Sequence, residues 1–266
     1  MHPTINIAIR AARSAGGILL RYFDRVDSLK VDRKGMNDFV SDVDRAAEQV
    51  IVEALRKTYP DHAIFAEESG RQGGDSEFEW VIDPLDGTTN YLHGFPQFSI
   101  SIALKHNGVL EHGLVYDPLR DEMFTASRGE GALLNDRRIR VTNRKGFEGA
   151  LVGTGFPYRE QRHLDTYLAM FKRMVQETAG VRRPGSAALD LAYVAAGRID
   201  GFWELGLSQW DIAAGALLVK EAGGVVTDIG GGERYLESGN IIAGGIKIQN
   251  LMRKEFQSQL TDHLRY

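Results

Sequence analysis

Residues 79–90 read Glu-Trp-Val-Ile-Asp-Pro-Leu-Asp-Gly-Thr-Thr-Asn. The apolar start of this stretch predicts a buried strand that ends at Asp83, and Pro84 predicts a turn directly after it. Asp86 follows three residues later, and the Gly-Thr-Thr beside it can begin a helix. Carboxylates bind hard cations such as Mg²⁺, and the N–H groups at a helix N-terminus bind phosphate. This one segment therefore predicts both halves of a site for a metal ion and a phosphate group.

Further carboxylates lie where other predicted elements begin or end. Glu67 and Glu68 follow a short apolar strand at 63–66, and Asp211 comes just before a predicted helix at 212–222. If the strand at 63–66 neighbours the strand that ends at Asp83, one of the two glutamates reaches the same cavity. Because no pair of histidines has the spacing of metal ligands, the carboxylates favour two or more Mg²⁺ ions over zinc.

Each of these residues also has a purely structural interpretation. Asp211 could cap its helix, and Asp44 could form a pair like a capping box with Ser41. The Asp86-Gly87-Thr88 segment could be a simple turn, and Glu67-Glu68 could be a solvated pair. Only the combination of these residues, in this order along the chain, points to a site.

The remainder of the chain predicts an α+β architecture. Helices are expected at 5–23, 41–58, 162–176, 186–196, 212–222 and 248–260. Strands are expected at 63–66, 78–83, 98–104, 109–116, 122–126, 150–153, 201–204, 225–228 and 241–243, with Asn107-Gly108 as a hairpin turn. Blocks of strands separated by helices predict one layered domain over 1–266, in which two packed halves, roughly 1–144 and 145–266, share a core.

Composition excludes several classes of protein. The 266 residues contain no cysteine, which excludes disulfides, thiolate zinc sites and a cysteine nucleophile. A net charge of −4 argues against tight direct binding of nucleic acid and against an anionic membrane surface. Arg10 and Arg13 interrupt the region where a secretion signal would be apolar, and no uncharged apolar run has the length of a membrane span. We therefore expect a soluble, cytoplasmic protein.

Several segments together resemble the signatures of one known family. They are Glu67-Glu68-Ser69, the stretch from Asp83 to Asn90, Trp210-Asp211 and Glu221-Ala222-Gly223-Gly224. In this order and spacing they are similar to the inositol monophosphatases, and the resemblance covers nearly the whole chain. The stretch 182–190, Arg-Arg-Pro-Gly-Ser-Ala-Ala-Leu-Asp, is similar to the bacterial SuhB-type members of that family. The resemblance implies the five-layered αβαβα sandwich that inositol monophosphatases share with fructose-bisphosphatases.

The resemblance also implies a role for each site residue by position. The metal ligands, for two or three Mg²⁺ ions, would be Glu67, Asp83, the Leu85 carbonyl, Asp86 and Asp211. Glu67, Thr88 and Asp44 would serve catalysis, with Thr88 orienting the attacking water and Asp44 supporting the Thr88 hydroxyl. Substrate contacts would come from Gly87, Thr88, Gly185, Ser186, Ala187 and Glu204, although Ser186 could equally be only a helix cap. Either Arg33 or Lys34 would supply a basic residue in the loop before Asn37-Asp38.

The activity implied by the resemblance is Mg²⁺-dependent hydrolysis of small phosphate monoesters, with myo-inositol 1-phosphate as the leading substrate. Glu67 and Asp83 would hold one ion that lowers the pKa of a bound water, and a second ion about 3.5–4 Å away would neutralise the leaving oxygen. No covalent phosphoenzyme is required. Fructose-bisphosphatase and bisphosphate-nucleotide phosphatase activities remain open, but the short chain and Glu204 favour a monophosphatase. The Asp-x-x-Asp-Gly-Thr spacing differs from Asp-x-Asp-x-Thr of haloacid-dehalogenase phosphatases, and no Walker motif occurs.

A second implied role belongs to a different class. SuhB-type proteins are associated with antitermination of ribosomal RNA transcription, through NusA and other Nus factors and RNA polymerase. The resemblance therefore implies a partner protein whose role is independent of turnover, and it favours a homodimer. Arg182 and Arg183 could belong to the partner surface or to the dimer interface, or could be an ordinary exposed basic pair.

Overall fold

Two helices at the start of the chain pack against each other and form the first layer. A computed structural model of the protein describes residues 2–23, 25, 31–35, 38–158, 161–261 and 264, and of 31–35 and 38–41 it describes the backbone only. Helix α1 covers Pro3–Phe23 and α2 covers Asp42–Thr58. Between them, β1 (Val31–Gly35) and β2 (Asp38–Ser41) pair antiparallel. Both helices bury apolar residues at spacings of three and four, as their sequence pattern predicts.

An eight-stranded sheet forms the second layer. Its strands are β3 (Ala63–Ala66), β4 (Gly70–Gln72), β5 (Phe78–Asp86), β6 (Ser99–His106), β7 (Val109–Asp117), β8 (Glu122–Ser127), β9 (Gly131–Leu134) and β10 (Arg137–Arg138). The order across the sheet is β10-β9-β8-β7-β6-β5-β3-β4, and β3 runs parallel to β5. Asn107 and Gly108 join β6 to β7 with positive φ angles of 49° and 79°, so the hairpin predicted from these two residues is confirmed.

Strand β5 differs from its prediction at Pro84. The expected turn after Asp83 is wrong, because β5 continues through Pro84 to Asp86. Its pairing with β6 is interrupted between Asp83 and Asp86 and resumes where Asp86 faces Ser99. An interruption of the ladder accommodates proline, which has no N–H to donate. Asp83 and Asp86 therefore lie on one irregular strand end, and α3 (Thr88–Leu92) follows directly.

The second half of the chain builds a smaller sheet and its helices. In chain order the elements are β11 (Leu151–Thr154), α4 (Leu164–Glu177), β12 (Gly180–Arg182), α5 (Ala187–Ala195), β13 (Gly201–Glu204), α6 (Gln209–Glu221), β14 (Val225–Thr227), α7 (Tyr235–Ser238), β15 (Ile241–Gly244) and α8 (Ile246–Phe256). The five strands are ordered β12-β11-β13-β15-β14. Helix α6 begins three residues before the predicted start, which places Asp211 inside its first turn.

Three buried clusters show how the layers stack. One joins α1 and α2 to the outer face of the large sheet. The second places α5 and α6 between the two sheets, and the third joins α4 and α8 to the outer face of the small sheet. The layers therefore follow the order αβαβα, and the expected five-layered sandwich is confirmed. The expectation that 1–144 and 145–266 form one domain stays a prediction. Within the described ranges, no helix is long and apolar enough to cross a membrane.

Candidate metal and phosphate site

The irregular end of β5 places two aspartates at the start of α3. Asp83 and Asp86 are both buried, and Asp83 Oδ1 accepts a hydrogen bond from the Leu85 N–H at 2.9 Å. Gly87 caps α3 with a φ of 96°, and a Cβ there would lie 3.0 Å from the Gln97 carbonyl oxygen. Glycine is therefore required at this position for two reasons, its left-handed backbone and the close approach of another segment.

The neighbouring strand brings Glu67 to the same place. Because β3 runs parallel to β5 with Ala66 opposite Ile82, the two strands end side by side. The Glu67 N–H continues the pairing by donating to the Ile82 carbonyl at 3.1 Å. The predicted neighbourhood of these strands is thus confirmed. Glu67 lines the cavity beside Asp83, whereas Glu68 lines a different groove.

Asp211 enters the site from α6 and also caps that helix. Its Oδ2 accepts the Ser208 N–H at 2.7 Å, and together the two residues form a capping box. Asp211 nevertheless lines the same cavity as Asp83 and Asp86. The predicted cap is therefore confirmed, and it leaves the Asp211 carboxylate beside Asp83 and Asp86, where its role as a metal ligand stays a prediction.

Asp83, Asp86 and Asp211 form a buried carboxylate cluster. One oxygen from each lies within 4.8 Å of the others. Burial, and then the negative charges of Glu67, Asp86 and Asp211, raise the pKa of Asp83 well above its usual range. Burial likewise raises the pKa of Asp86 to about 6, against the opposing effect of hydrogen bonds from Ser186 and Ala188. Confined like charges of this kind are stabilised by a cation or by protons.

Most of the predicted site residues line two cavities that share part of their walls. The larger, of about 490 Å³, is lined by Glu67, Asp83, Leu85, Asp86, Gly87, Thr88, Thr89, Asn90, His93, Tyr158, Arg183, Gly185 and Asp211. The smaller, of about 150 Å³, shares Asp86, Tyr158, Arg183, Gly185 and Asp211 with it and adds Gly155, Phe156, Ala187, Glu204, Leu205, Gly206 and Leu207. Asp86 and Asp211 of the carboxylate cluster thus line both cavities, and Glu204 lines the smaller one.

Ser186 lies behind the site and is oriented toward Asp86. Its backbone is the N-cap of α5, but its side chain makes no capping hydrogen bond. The Ser186 hydroxyl instead donates to Asp86 Oδ2 at 2.6 Å, and the Ala188 N–H donates to the same oxygen at 2.8 Å. The alternative that Ser186 serves only as a helix cap is therefore wrong. Its predicted contact with substrate is not tested, since Ser186 is buried.

Asp44 reaches the site from α2. Its Oδ1 lies 3.3 Å from Thr88 Oγ1, which also lies 3.0 Å from the Leu85 carbonyl oxygen. This contact matches the support of the Thr88 hydroxyl that the resemblance implies. The side chains of Ser41, Arg33 and Lys34 fall outside the described residues, as does the whole of Asn37. Neither the capping pair of Ser41 with Asp44 nor the choice between Arg33 and Lys34 is therefore addressed.

Two residues that were not predicted for the site line its cavities, Asn90 and Arg183, the second of which was expected at a partner surface, at a dimer interface or in an exposed basic pair. The Asn90 amide donates to the carbonyls of Gln97 and Pro184, both at 2.8 Å, and so ties α3 to the segment before α5. The Arg183 guanidinium lies over the Phe156 and Tyr158 rings, 5.1 and 5.2 Å from their centroids. Asn90 could have been suspected from its place in the aspartate motif. Arg183 lies two residues before Gly185, a predicted substrate contact, and this position in the stretch 182–190 could have indicated it.

The donor atoms fit a hard divalent cation. The clustered ligands are carboxylate oxygens from Asp83, Asp86 and Asp211, with Glu67 and the Leu85 carbonyl in the same cavity wall. Mg²⁺ prefers oxygen ligands of this type, whereas zinc sites use histidine and cysteine. The raised pKa values of Asp83 and Asp86 support this fit, because a bound cation would offset the burial and the repulsion between carboxylates that raise them.

The chain is similar to known proteins along its whole length. The model of the inositol monophosphatase family matches residues 1–264. The Nus factor SuhB of Pseudomonas aeruginosa is 56% identical over 270 aligned residues, which cover 100% of both proteins. The Nus factor SuhB of Escherichia coli strain K12 is 49% identical over 266 residues, again covering 100% of each.

Solved structures agree with this similarity. The extragenic suppressor protein SuhB from Bartonella henselae is 45% identical and superposes with a TM-score of 0.94, covering 97% of this chain and 100% of that one. The inositol monophosphatase from Anabaena is 42% identical with a TM-score of 0.85, covering 95% of this chain and 94% of that one. The fold is therefore shared with these relatives.

Proposed function

The chain belongs to the inositol monophosphatase family, and from this premise we propose that it hydrolyses small phosphate monoesters with Mg²⁺, with myo-inositol 1-phosphate as the substrate. The observation that supports the proposal most directly is the carboxylate cluster. Asp83, Asp86 and Asp211 offer oxygens within 4.8 Å of one another at the wall of a cavity of about 490 Å³. Glu67 lines the same cavity and completes an all-oxygen ligand set.

In this proposal the carboxylate cluster, Glu67 and the Leu85 carbonyl hold two or three Mg²⁺ ions. When bound, the ions supply a lowered pKa for a coordinated water and neutralise negative charge on the leaving oxygen. The protein contributes the arrangement of the ligands before substrate arrives. Helices α5 and α6 fix Asp86 and Asp211, through the hydrogen bonds of Asp86 with Ser186 and of Asp211 with Ser208.

Thr88 is proposed to orient the attacking water. Its hydroxyl proton is directed to the Leu85 carbonyl or to Asp44, at 3.0 and 3.3 Å. With the proton committed to either acceptor, the oxygen lone pairs of Thr88 can accept a hydrogen bond from water. In this proposal Asp44 and Thr88 together fix the position of the attacking water. Glu67, at the end of β3, acts in the same step as a ligand of the metal ion that binds this water.

The phosphate group is proposed to lie at the start of α3. The first N–H groups of a helix have no partner within the helix, so those near Gly87 and Thr88 are available to phosphate oxygens. The alcohol would then extend toward the smaller cavity, past Gly185 and Ala187 to Glu204. A carboxylate at that end accepts hydrogen bonds from sugar hydroxyls and repels a second phosphate, which favours a monophosphate of a polyol.

The first test is phosphate release from myo-inositol 1-phosphate with and without Mg²⁺, with Asp86→Asn assayed beside the unaltered protein. We expect Mg²⁺-dependent release from the unaltered protein only. Phosphate release from glycerol 2-phosphate and nucleotide monophosphates, assayed in parallel, shows which alcohol portion of the ester the protein prefers. If all of these esters remain intact with Mg²⁺ bound to folded protein, the proposed substrate class is wrong.

A second candidate function comes from the relatives named Nus factor SuhB, which match the chain over its full length at 49–56% identity. We propose that the protein also acts in transcription antitermination in the cytoplasm, through NusA and RNA polymerase, as a homodimer. Pull-down with NusA, using Asp86→Asn, separates this role from turnover. Retention of NusA by the inactive variant would make the two roles separable, and absence of binding by both proteins would remove the antitermination role.

A further inference from the structure

Helix α2 carries two buried carboxylates on the same face. Asp44 and Glu48 are four residues apart, so both side chains lie on one side of the helix. They are 0% and 4% exposed. Asp44 contacts Thr88, the first residue of α3, as described above. Glu48 contacts a different segment, the turn that follows β3.

The Glu48 carboxylate is bound to two consecutive backbone N–H groups. Its Oε2 accepts the N–H of Glu68 at 2.8 Å, and its Oε1 accepts the N–H of Ser69 at 2.9 Å. The preceding N–H, that of Glu67, donates to Ile82 of β5. The three amides from 67 to 69 are thus all bound, the first to the sheet and the next two to Glu48.

This contact supports the turn that joins the antiparallel strands β3 and β4, on the side that faces α2. A groove of about 410 Å³ separates part of α2 from the turn, and Glu48, Glu68 and Ser69 are among its lining residues. The pairing of β3 with β4 closes the turn, and on the side of α2, where the groove lies, hydrogen bonds to Glu48 hold it. A carboxylate that accepts two N–H groups forms charge-assisted bonds, which are the stronger kind and impose a definite geometry.

Helix α2 itself is firmly held. Val43, Ala47, Ile51 and Leu55 are buried in the cluster that joins α1 and α2 to the large sheet. Through Glu48, the backbone immediately after Glu67 is therefore hydrogen-bonded to a helix that is itself packed in the core. Because Glu67 is the first residue of the turn, the direction in which its carboxylate enters the cavity depends on how residues 68 and 69 are held.

We propose that Glu48 is a positioning residue that sets the Glu67 carboxylate for Mg²⁺ binding. The proposal rests on the proposed function, since it gives Glu67 the role of a metal ligand. Residues that hold metal ligands in place through hydrogen bonds typically change metal affinity by about 10–100-fold when substituted. Glu48 does this through the backbone, which distinguishes it from Ser186, whose hydroxyl contacts its ligand directly.

Glu48→Gln tests the proposal, because an amide has one acceptor oxygen and must turn its NH₂ group toward one of the two N–H donors. Mg²⁺ binding is measured by titration calorimetry on chelator-treated protein without substrate. We expect the dissociation constant to rise at least about tenfold. Glu53→Gln is the matched control, since Glu53 is exposed on the same helix, lines the same groove and bonds Gln49 instead of the turn.

Thermal unfolding separates positioning from a purely structural role. If Glu48 has only a structural role, its substitution lowers the unfolding temperature equally with and without Mg²⁺. If Glu48 positions Glu67, its substitution also reduces the rise in unfolding temperature that Mg²⁺ produces. Equal Mg²⁺ affinity in Glu48→Gln and the unaltered protein overturns the proposal. If Glu48→Gln does not fold, Glu48→Asp retains the charge on a shorter side chain, and it must also show weakened binding. Failure of the unaltered protein to bind Mg²⁺ would instead contradict the proposed function.

Discussion

The Ser186 hydroxyl donates to Asp86 Oδ2 at 2.6 Å, although 100 residues separate the two in the chain. The Ala188 N–H donates to the same oxygen. Asp86 belongs to the large sheet and Ser186 begins the helix that packs between the sheets, so this contact joins the two halves of the molecule at the carboxylate cluster. The order of the cluster therefore depends on the packing of α5 against the end of β5.

Asp86→Asn should abolish Mg²⁺-dependent phosphate release while the fold survives. The asparagine oxygen can still accept from Ser186 and Ala188, but the charge that attracts the cation is lost. Removing one of several buried like charges should also raise the unfolding temperature of the metal-free protein at neutral pH. Phosphate assays and thermal unfolding check both expectations, and release within about tenfold of normal would remove Asp86 from the site.

Ser186→Ala should weaken Mg²⁺ binding. A hydrogen bond to a charged group contributes about 1.5–3 kcal/mol, which corresponds to roughly 10–150-fold in affinity if the whole contribution acts on the metal-bound state. The Mg²⁺ concentration for half-maximal activity measures the effect. Ser127→Ala, which removes a buried hydroxyl bonded to His112 in another part of the sheet, is the control. An unchanged Mg²⁺ requirement in Ser186→Ala would show that Ser186 does not hold the ligand.

Stability without metal should fall as pH rises through the acidic range. Burial raises the pKa of Asp86 from 3.8 to about 6, so between these values the folded state binds more protons than the unfolded chain. The free energy of unfolding of the metal-free protein therefore decreases as pH rises over that window. Asp83, whose pKa is also raised, changes this free energy in the same direction. Thermal unfolding with a chelator at about pH 4.5 and about pH 7 measures this decrease.

In Asp86→Asn the same decrease should be smaller, since one of the titrating groups is absent. Mg²⁺ competes with the protons, so the stabilisation that it gives should increase from about pH 4.5 to about pH 7. Identical pH dependence in the variant and the unaltered protein would contradict the assignment of this window to Asp86.

Gly155→Ala should impair recognition of the alcohol without affecting Mg²⁺. A Cβ at Gly155 would overlap the Glu204 carboxylate and displace it from the smaller cavity. We expect the KM for myo-inositol 1-phosphate to rise about tenfold, because hydrogen bonds to substrate hydroxyls are lost. Gly146→Ala, where an added Cβ meets nothing within 4 Å, is the control. A changed Mg²⁺ requirement with normal KM would place Glu204 outside the alcohol pocket.

Gly113→Ala should destabilise the protein through its backbone. A Cβ on β7 at this position would lie 2.9 Å from the Ala214 carbonyl oxygen on α6. The backbone of α6 cannot move aside as a flexible side chain can. We therefore expect the free energy of unfolding, measured by chemical denaturation, to fall by about 1–3 kcal/mol. Gly17→Ala, on α1 with no atom near the added Cβ, should be neutral or stabilising. A neutral Gly113→Ala would mean that α6 can withdraw from the sheet at no cost.

Local patterns predicted most of the elements and failed where pairing across the sheet decided the outcome. The apolar spacing of α1, the alternation in β6 and the Asn107-Gly108 turn each express a preference of neighbouring residues. The wrong prediction of a turn at Pro84 also came from a local preference. The preference of this proline for a turn was overcome by the pairing of β5 with β6, which resumes at Asp86.

The candidate site was predictable to a similar degree. The aspartates of 83–86, Glu67 and Asp211 were identifiable because carboxylates at the ends of elements are typical of metal sites, and the family resemblance supplied the rest. Glu48 and Arg183 were not assigned to the site, although Glu48 braces the turn after Glu67 and Arg183 lines both cavities. The residues beside Glu48 give no sign of its contact with the turn, whereas Arg183 lies two residues before the predicted substrate contact Gly185.

By itself the sequence determined the chemistry available to this protein: carboxylate oxygens, no thiols, two aspartates beside a helix start at 83–90 and an order of elements that belongs to one family. Only the tertiary structure decided that Glu67 and not Glu68 enters the cavity, that Ser186 bonds Asp86 and that Glu48 holds the turn after β3. The physical reason is that these contacts join residues brought together by the packing of layers. Packing depends on side chains from the whole chain, whereas local preference depends on a few neighbours.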